Sequence, residues 1–356
     1  MPLSKKLTIG QRRLHHLGVS ATFKDVAEAV AWLGAMQGQD YSGSLWALAL
    51  RVPGTTAADI EKAIVDAIIM RTWAVRGTLH YVAPADIHWM LALLAPRLIS
   101  GNASRYKQLE LDAQTLVRST DLIARAVTDR GQLSRAELFE HLESNHISTA
   151  GQRGFHMLQR AGLERLVYQG PMLRNETTFR ALPSGGTLEK EVALAQLASR
   201  YFVSHGPATL EDFTHWSGLT VVEARTGLAS CKASLLAEQI GATTYYSSPQ
   251  PAAPPDRALY LLPGFDEFIL GYRDRSAVLD AEFADAICPG GNGMFSPSIV
   301  LNGRVVGTWR RTIKTRTVEI ACSPFTALGA RERRLFAEEL ERFGRFVGLP
   351  VTVSQT

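Results

Sequence analysis

Apolar residues in the first 250 positions recur mostly three or four apart, the spacing that lines one face of an α-helix, with short alternating stretches between the runs. This pattern predicts helices over 8–17, capped by Thr8, and over 22–35, capped by Thr22. Asp25 and Glu28 fall in the early turns of the second, where the helix dipole favours them. Helices are expected again over 44–51 and 56–69. Between 70 and 82 the period drops to two on either side of Gly77, which reads as a two-stranded hairpin. Helices followed by a two-stranded wing describe a winged helix-turn-helix.

The pattern then returns twice. A connecting helix over 87–98, broken or ended near Pro96, leads to helices over 122–127, 133–139 and 151–161 and a strand pair at 165–168 and 178–182. Ser134 and Glu137 have capping-box spacing. From Glu189, helices over 192–205, 208–213 and 220–229 precede strands at 235–240 and 243–247. The clearest internal echo aligns Ala21-Thr22-Phe23-Lys24-Asp25 with Leu133-Ser134-Arg135-Ala136-Glu137 and Ala208-Thr209-Leu210-Glu211-Asp212. Three degenerate copies of one unit are expected. A Pro-rich break over 247–255 introduces a β-type region, with strands at 258–262, 268–270, 298–301, 304–314 and 316–321 and a final helix over 330–346. Asn302-Gly303 is the strongest hairpin signal in the chain. The expected fold class is α+β: three tandem winged helix-turn-helix units over 1–118, 119–186 and 187–250, and a β-rich domain over 251–356.

Composition changes this picture little. With 356 residues, 46% of them hydrophobic and 20% charged, the chain is ordinary for a globular protein of several domains. No apolar run is long enough to span a bilayer and no signal-peptide core follows the N-terminus, so a cytoplasmic location is expected. Three distant cysteines, Cys231, Cys288 and Cys322, argue against a disulfide framework and lack zinc-ligand spacing. No metal or organic cofactor is expected, and a monomer is the default. The net charge of +4, carried mostly by arginine, is compatible with a polyanionic partner without demanding one.

Candidate chemistry concentrates just past the second helix, in Gln37-Gly38-Gln39-Asp40. In a continuing helix, positions two apart point nearly opposite ways. In an extended segment they point the same way, and Gly38 is the residue expected to let the backbone leave the helix. Two neutral amides then face one spot. The competing reading is a polar helix terminus. Asp40 is either a general base or a helix cap, and Asp266-Glu267 either an acid–base pair or turn carboxylates bonded to backbone and arginines. Arg71, Arg76 and His80 around the first hairpin read as phosphate contacts or as solvated strand residues. Arg310, Thr312, Lys314 and Arg316 are expected on one strand face as a backbone-tracking stripe. His15, His16 and His88 have no metal spacing, and Trp73, Trp89 and Trp309 read as core anchors.

Three stretches together, Gln37-Gly38-Gln39-Asp40, Arg71-Thr72-Trp73-Ala74-Val75-Arg76-Gly77-Thr78-Leu79-His80 and Leu262-Pro263-Gly264-Phe265-Asp266-Glu267, resemble the winged-helix DNA glycosylase family typified by AlkZ and YcaQ. The similarity extends through Gly291-Asn292-Gly293-Met294-Phe295 to Trp309-Arg310 and so covers nearly the whole chain. Two glutamines resemble the AlkZ branch, the YcaQ branch carrying aspartate second. The resemblance implies a monofunctional glycosylase acting on double-stranded DNA, releasing N7-alkylated guanines and unhooking azinomycin-type interstrand crosslinks, with Gln37 and Gln39 as its catalytic motif. Gly38 departs from the apolar residue expected between them. Two alternatives remain open at this point, a winged-helix regulator without activity and a hydrolase centred on Asp266 and Glu267.

Overall fold

The computed structural model describes residues 7–19, 23–253 and 257–354; Thr22, the expected first cap, and Pro254 and Pro255 of the proline-rich break lie outside them. The chain mixes α and β. After an initial helix, Ile9–His16, three successive segments repeat one order: helix, short extended piece, capped helix, second helix, hairpin. In the first these are Val26–Leu33, Ala35–Gln37, Tyr41–Arg51, Ala57–Val65, and the strands Met70–Trp73 and Leu79–Val82. In the second they are Ala113–Arg130, Gln132–Ser134, Arg135–Ser144, Arg153–Leu163, and Val167–Leu173 with Glu176–Ala181. The third runs through Lys190–His205, Leu210–Ser217, Val221–Cys231, and Leu236–Ile240 with Thr243–Ser247; its short extended piece is a single bridge, Ala208 to Tyr246.

Several boundaries differ from the sequence expectation. The second helix begins at Val26, where the Asp25 carboxylate accepts the Glu28 N–H at 2.9 Å. Helix Ile87–Gly101 runs through Pro96. The ring removes one hydrogen bond, but Leu91, Leu94 and Ala95 before it are buried and Leu98 and Ile99 after it pack half-buried on the core, which holds the helix together. Residues 267–270 form a helical turn rather than a strand, and the strand Val351–Ser354 was not anticipated.

The first two hairpins are not separate wings. They join edge to edge through Arg71 and Gln169 into one six-stranded sheet, and the Trp73 ring stacks on Phe179 of the second segment at 6.2 Å. The C-terminal region builds a five-stranded sheet, antiparallel apart from Val351–Ser354, whose Asn302-Gly303 turn has positive φ at both positions, as a type I′ hairpin requires. Helix Ala330–Val347 covers that sheet and presents Phe343 and Phe346 to Trp46 of the first segment.

Two apolar cores result. One unites the first and third segments with the C-terminal sheet; the other fills the second segment and borrows Trp73, Leu79 and Ala95 from the first. Polar bonds pin the C-terminal region to its neighbours. Trp46 Nε1 donates to the Leu261 carbonyl at 2.6 Å, and Tyr201 Oη to that of Gly271 at 2.6 Å. Arg51, fully buried, grips Asp266 with two bonds of 2.9 and 3.1 Å and also donates to the carbonyls of Leu17 and Ala47. Removing one member of such a pair strands the other charge in a dry interior. Arg51→Met is therefore expected to lower unfolding stability by ~3–5 kcal/mol in urea titration. Arg125→Ala, which breaks an exposed pair with Asp121, should leave the urea midpoint unchanged.

Candidate active site

The glutamine segment takes its shape from its surroundings. Helix Val26–Leu33 stops at Gly34, whose φ of +77° turns the chain out. This corrects the role expected of Gly38, which lies four residues beyond Gly34. Ala35–Gln37 is then extended and pairs with the far strand of the first hairpin, Gln37 opposite His80. Gly38 lies flat on that strand. Its N–H donates to the Leu79 carbonyl at 2.7 Å, its carbonyl accepts from Arg71 Nε at 2.9 Å, and a Cβ there would sit 3.2 Å from the Tyr81 ring. Asp40 caps the next helix, accepting the Gly43 N–H at 3.1 Å while Arg311 pairs with its other oxygen at 3.1 Å. Its carboxylate is thereby committed to structure, the capping alternative of the two.

The repeat also aligns differently from the sequence echo. Asp40, Ser134 and Thr209 are the corresponding N-caps, each following the short extended piece. In the second segment strand and cap meet at Ser134, and in the third Ala208 is followed at once by Thr209. In the first, Gly38 and Gln39 intervene between Gln37 and Asp40. The candidate site spans the last strand residue, Gln37, and that two-residue extension, which carries Gln39.

Gln37 is buried and Gln39 exposed, and both line a cleft of about 980 Å³. Gln37 Oε1 accepts the Gln39 N–H, and Leu79 N–H points at Gln39 Oε1 at 3.4 Å. The Gln37 N–H donates to Glu267 Oε1 at 3.0 Å. Glu267 is buried, and its Oε2 accepts Trp216 Nε1–H at 3.1 Å and faces His205 Nε2 at 3.3 Å. Burial alone would raise this carboxyl; bonds from His205 and Gln37 and the nearby imidazoles instead hold it well below the usual carboxylate range. Three chain segments thus meet behind the glutamines. The opposite wall of the cleft comes from the loops around Phe265 and Phe295, and Arg76, Arg273 and Arg275 border it. Asp285 is the one carboxylate among the described lining residues, and its Oδ1 is bonded to the Gly290 N–H at 2.7 Å.

The other expected contacts scatter. Arg71 and His80 are buried and cannot face a phosphate. A neighbouring strand covers Arg71, which bonds Gly38 and Gln169 Oε1, and His80 lies beneath the glutamine segment, its Nδ1 on the Thr78 carbonyl at 2.9 Å. Arg76 borders the cleft and donates to the last carbonyls of helix Leu210–Ser217, those of His215 and Trp216. The stripe of Arg310, Lys314 and Arg316 is broken. The strand ends at Ile313, so Lys314 and Arg316 lie in the hairpin turn, and Lys314 pairs with Glu319 at 2.5 Å. Arg310 is exposed on the strand, while Arg311, pointing the other way, is the residue that reaches Asp40. None of these three lines the cleft. Asp266 is the arginine-bonded turn carboxylate of the second reading, and Trp73, Trp89 and Trp309 are buried. Among the described residues no cluster of three or more metal-ligating side chains occurs and no helix is long and apolar enough to cross a membrane.

A family profile described as DNA glycosylase AlkZ-like matches residues 30–346. The chain belongs to this family. An interstrand DNA cross-link repair glycosylase of Streptomyces sahachiroi is 25% identical over 319 residues, which cover 81% of this chain and 82% of that protein. The structure of Streptomyces sahachiroi DNA glycosylase AlkZ aligns with a TM-score of 0.79 at 23% identity, covering 97% of this chain and 98% of that one, a likeness of fold. As an AlkZ-like protein the chain is an enzyme, a DNA glycosylase, and the reading as an inactive regulator falls away.

The buried histidines of this AlkZ-like fold carry a pH signature. Burial pushes His80 down to about 4, against the pull of Glu267 and with help from Arg76, and burial with His15 and Arg12 does the same to His16. Between pH 6.5 and 4 the unfolded chain binds protons that the folded chain refuses, so stability falls with falling pH. The slope reaches ~1.4 kcal/mol per pH unit for each histidine. Urea midpoints at pH 7 and 5 should show this loss, reduced in His80→Gln.

Proposed function

We propose that this AlkZ-like enzyme hydrolyses the N-glycosidic bond of N7-alkylguanine in double-stranded DNA and unhooks azinomycin-type interstrand crosslinks. The supporting observation is the pair of amides at the cleft, with the nearby carboxylates in structural bonds: Asp40 with a helix and Arg311, Asp266 with Arg51, Glu267 behind the wall, and Asp285 of the cleft lining with the Gly290 N–H. A neutral amide is a poor base. It suffices when the leaving group is already cationic, because the N9–C1′ electron pair returns to the purine and neutralises it, with no general acid needed. What remains is to place a water for attack on C1′, its proton leaving to solvent, and to stabilise an oxocarbenium-like sugar with oriented dipoles. Gln39, on the open side, orients the water. Gln37, pinned at its main chain and at Oε1, presents a fixed dipole to the sugar. Uncharged lesions should be poor substrates.

The three helix-and-hairpin segments act in this proposal as tandem winged-helix units that, with the C-terminal sheet, form a concave surface for the duplex. Arg76, Arg273 and Arg275 meet phosphates beside the lesion, and Arg310, Lys314 and Arg316 track the backbone farther out. Arg71 and His80 are left out, being buried. The enzyme works as a cytoplasmic monomer without a protein partner or cofactor, in repair or in self-resistance to a genotoxin.

The test is release of base from N7-methylguanine DNA and from an N7-guanine crosslinked duplex. Wild type should release both, and Gln37→Ala/Gln39→Ala should lose at least ~100-fold in single-turnover rate while its Kd for the same DNA stays within about threefold. Tight binding without release by wild type, or release undiminished in the double variant, overturns the proposal.

A further inference from the structure

We propose that Glu267 is the positioning residue of this site, acting on the reaction through Gln37; the inference rests on the glycosylase reading above. Strand Ala35–Gln37 is one of the two edge strands of the six-stranded sheet, so its outward N–H groups have no strand to pair with. At Gln37 that N–H is buried and meets a carboxylate 230 positions away, at 3.0 Å. Glu267 is 1% exposed and does not line the cleft, so it touches no substrate. Its second oxygen is held by Trp216 at 3.1 Å and His205 at 3.3 Å, both from the third segment. The bond from a main-chain N–H to a charged acceptor is of the strong kind, and here it fixes the Gln37 backbone from behind while Gln39 N–H fixes Oε1 from the front.

This arrangement has a catalytic consequence beyond stability. An amide that stabilises developing charge is useful only if its dipole is already aimed, and a displacement of about 1 Å can cost ~100-fold in rate. A neutral side chain at 267 can still fill the space, but it offers Gln37, Trp216 and His205 one oxygen in place of two charged ones. The Gln37 segment then loses its anchor while the DNA-binding surface is untouched.

A double-mutant cycle on the full chain tests this. Single-turnover release of N7-methylguanine is measured for wild type, Glu267→Gln, Gln37→Ala and the double variant, with Kd for the same DNA and thermal midpoint for each. Glu267→Gln is expected to slow release ~10- to 100-fold in the wild-type background and by less than about threefold in the Gln37→Ala background, with Kd changed less than about threefold in both. Equal slowing in the two backgrounds, a loss carried by Kd, or no slowing overturns the inference. Should Glu267→Gln fail to fold, Trp216→Phe removes one donor from Oε2 and carries the same cycle, with ~3- to 10-fold slowing expected in wild type alone. Absence of release by wild type, or full activity of Gln37→Ala, defeats the glycosylase reading itself. Those two proteins report that outcome without any Glu267 variant.

Discussion

An ionised carboxylate in the dry centre of a protein must be met by donors, and here they come from everywhere but its own neighbourhood. Glu267 lies in the C-terminal region and is answered by the main chain of Gln37 in the first segment and by His205 and Trp216 in the third. One residue earlier, Asp266 is answered by Arg51. Two adjacent charges therefore require three distant stretches of chain to dock in one arrangement, since any other leaves a buried anion unpaired. The apolar core shared by those stretches supplies the bulk of the attraction, and the two carboxylates select which docking is allowed.

Much of this was legible in the chain because it is local. Helical spacing, Thr and Ser caps, and the Asn302-Gly303 turn are set by nearest neighbours, and they place helices and hairpins close to where the structure has them. The extended form of the glutamine segment was also readable as one branch of a choice. Burial was not. Alternation at Arg71 and His80 says which residues share a face, not that a second sheet strand and the glutamine segment cover that face. Arg311 was passed over for Arg310 for the same reason, since nothing nearby tells which side of a strand meets Asp40. The bonds to Glu267 span 51, 62 and 230 positions, and no periodicity reports contacts at that range.

The misaligned internal echo is instructive in the same way. Thr22 with Asp25 has the chemistry of a helix start, yet the corresponding caps are Asp40, Ser134 and Thr209. A three-residue strand is too short to show a period, and the two residues after Gln37 displace the cap from where the other segments have it. The extension that hid the alignment is the one that separates this segment from its siblings. Two near-copies lack it, and the copy that has it carries the amides.

The fusion of the first two hairpins into one sheet has a mechanical side. With Arg71 paired to Gln169 across the junction and Trp73 stacked on Phe179 beneath it, the first and second segments are tied by both sheet and core contacts. In the proposed function, a duplex seated against these two segments meets a tied junction rather than two independent wings. On the proposed function, the curvature that brings a lesion to the glutamines falls to the nucleic acid more than to this junction, so lesions that already soften or distort the helix start with part of that elastic work done.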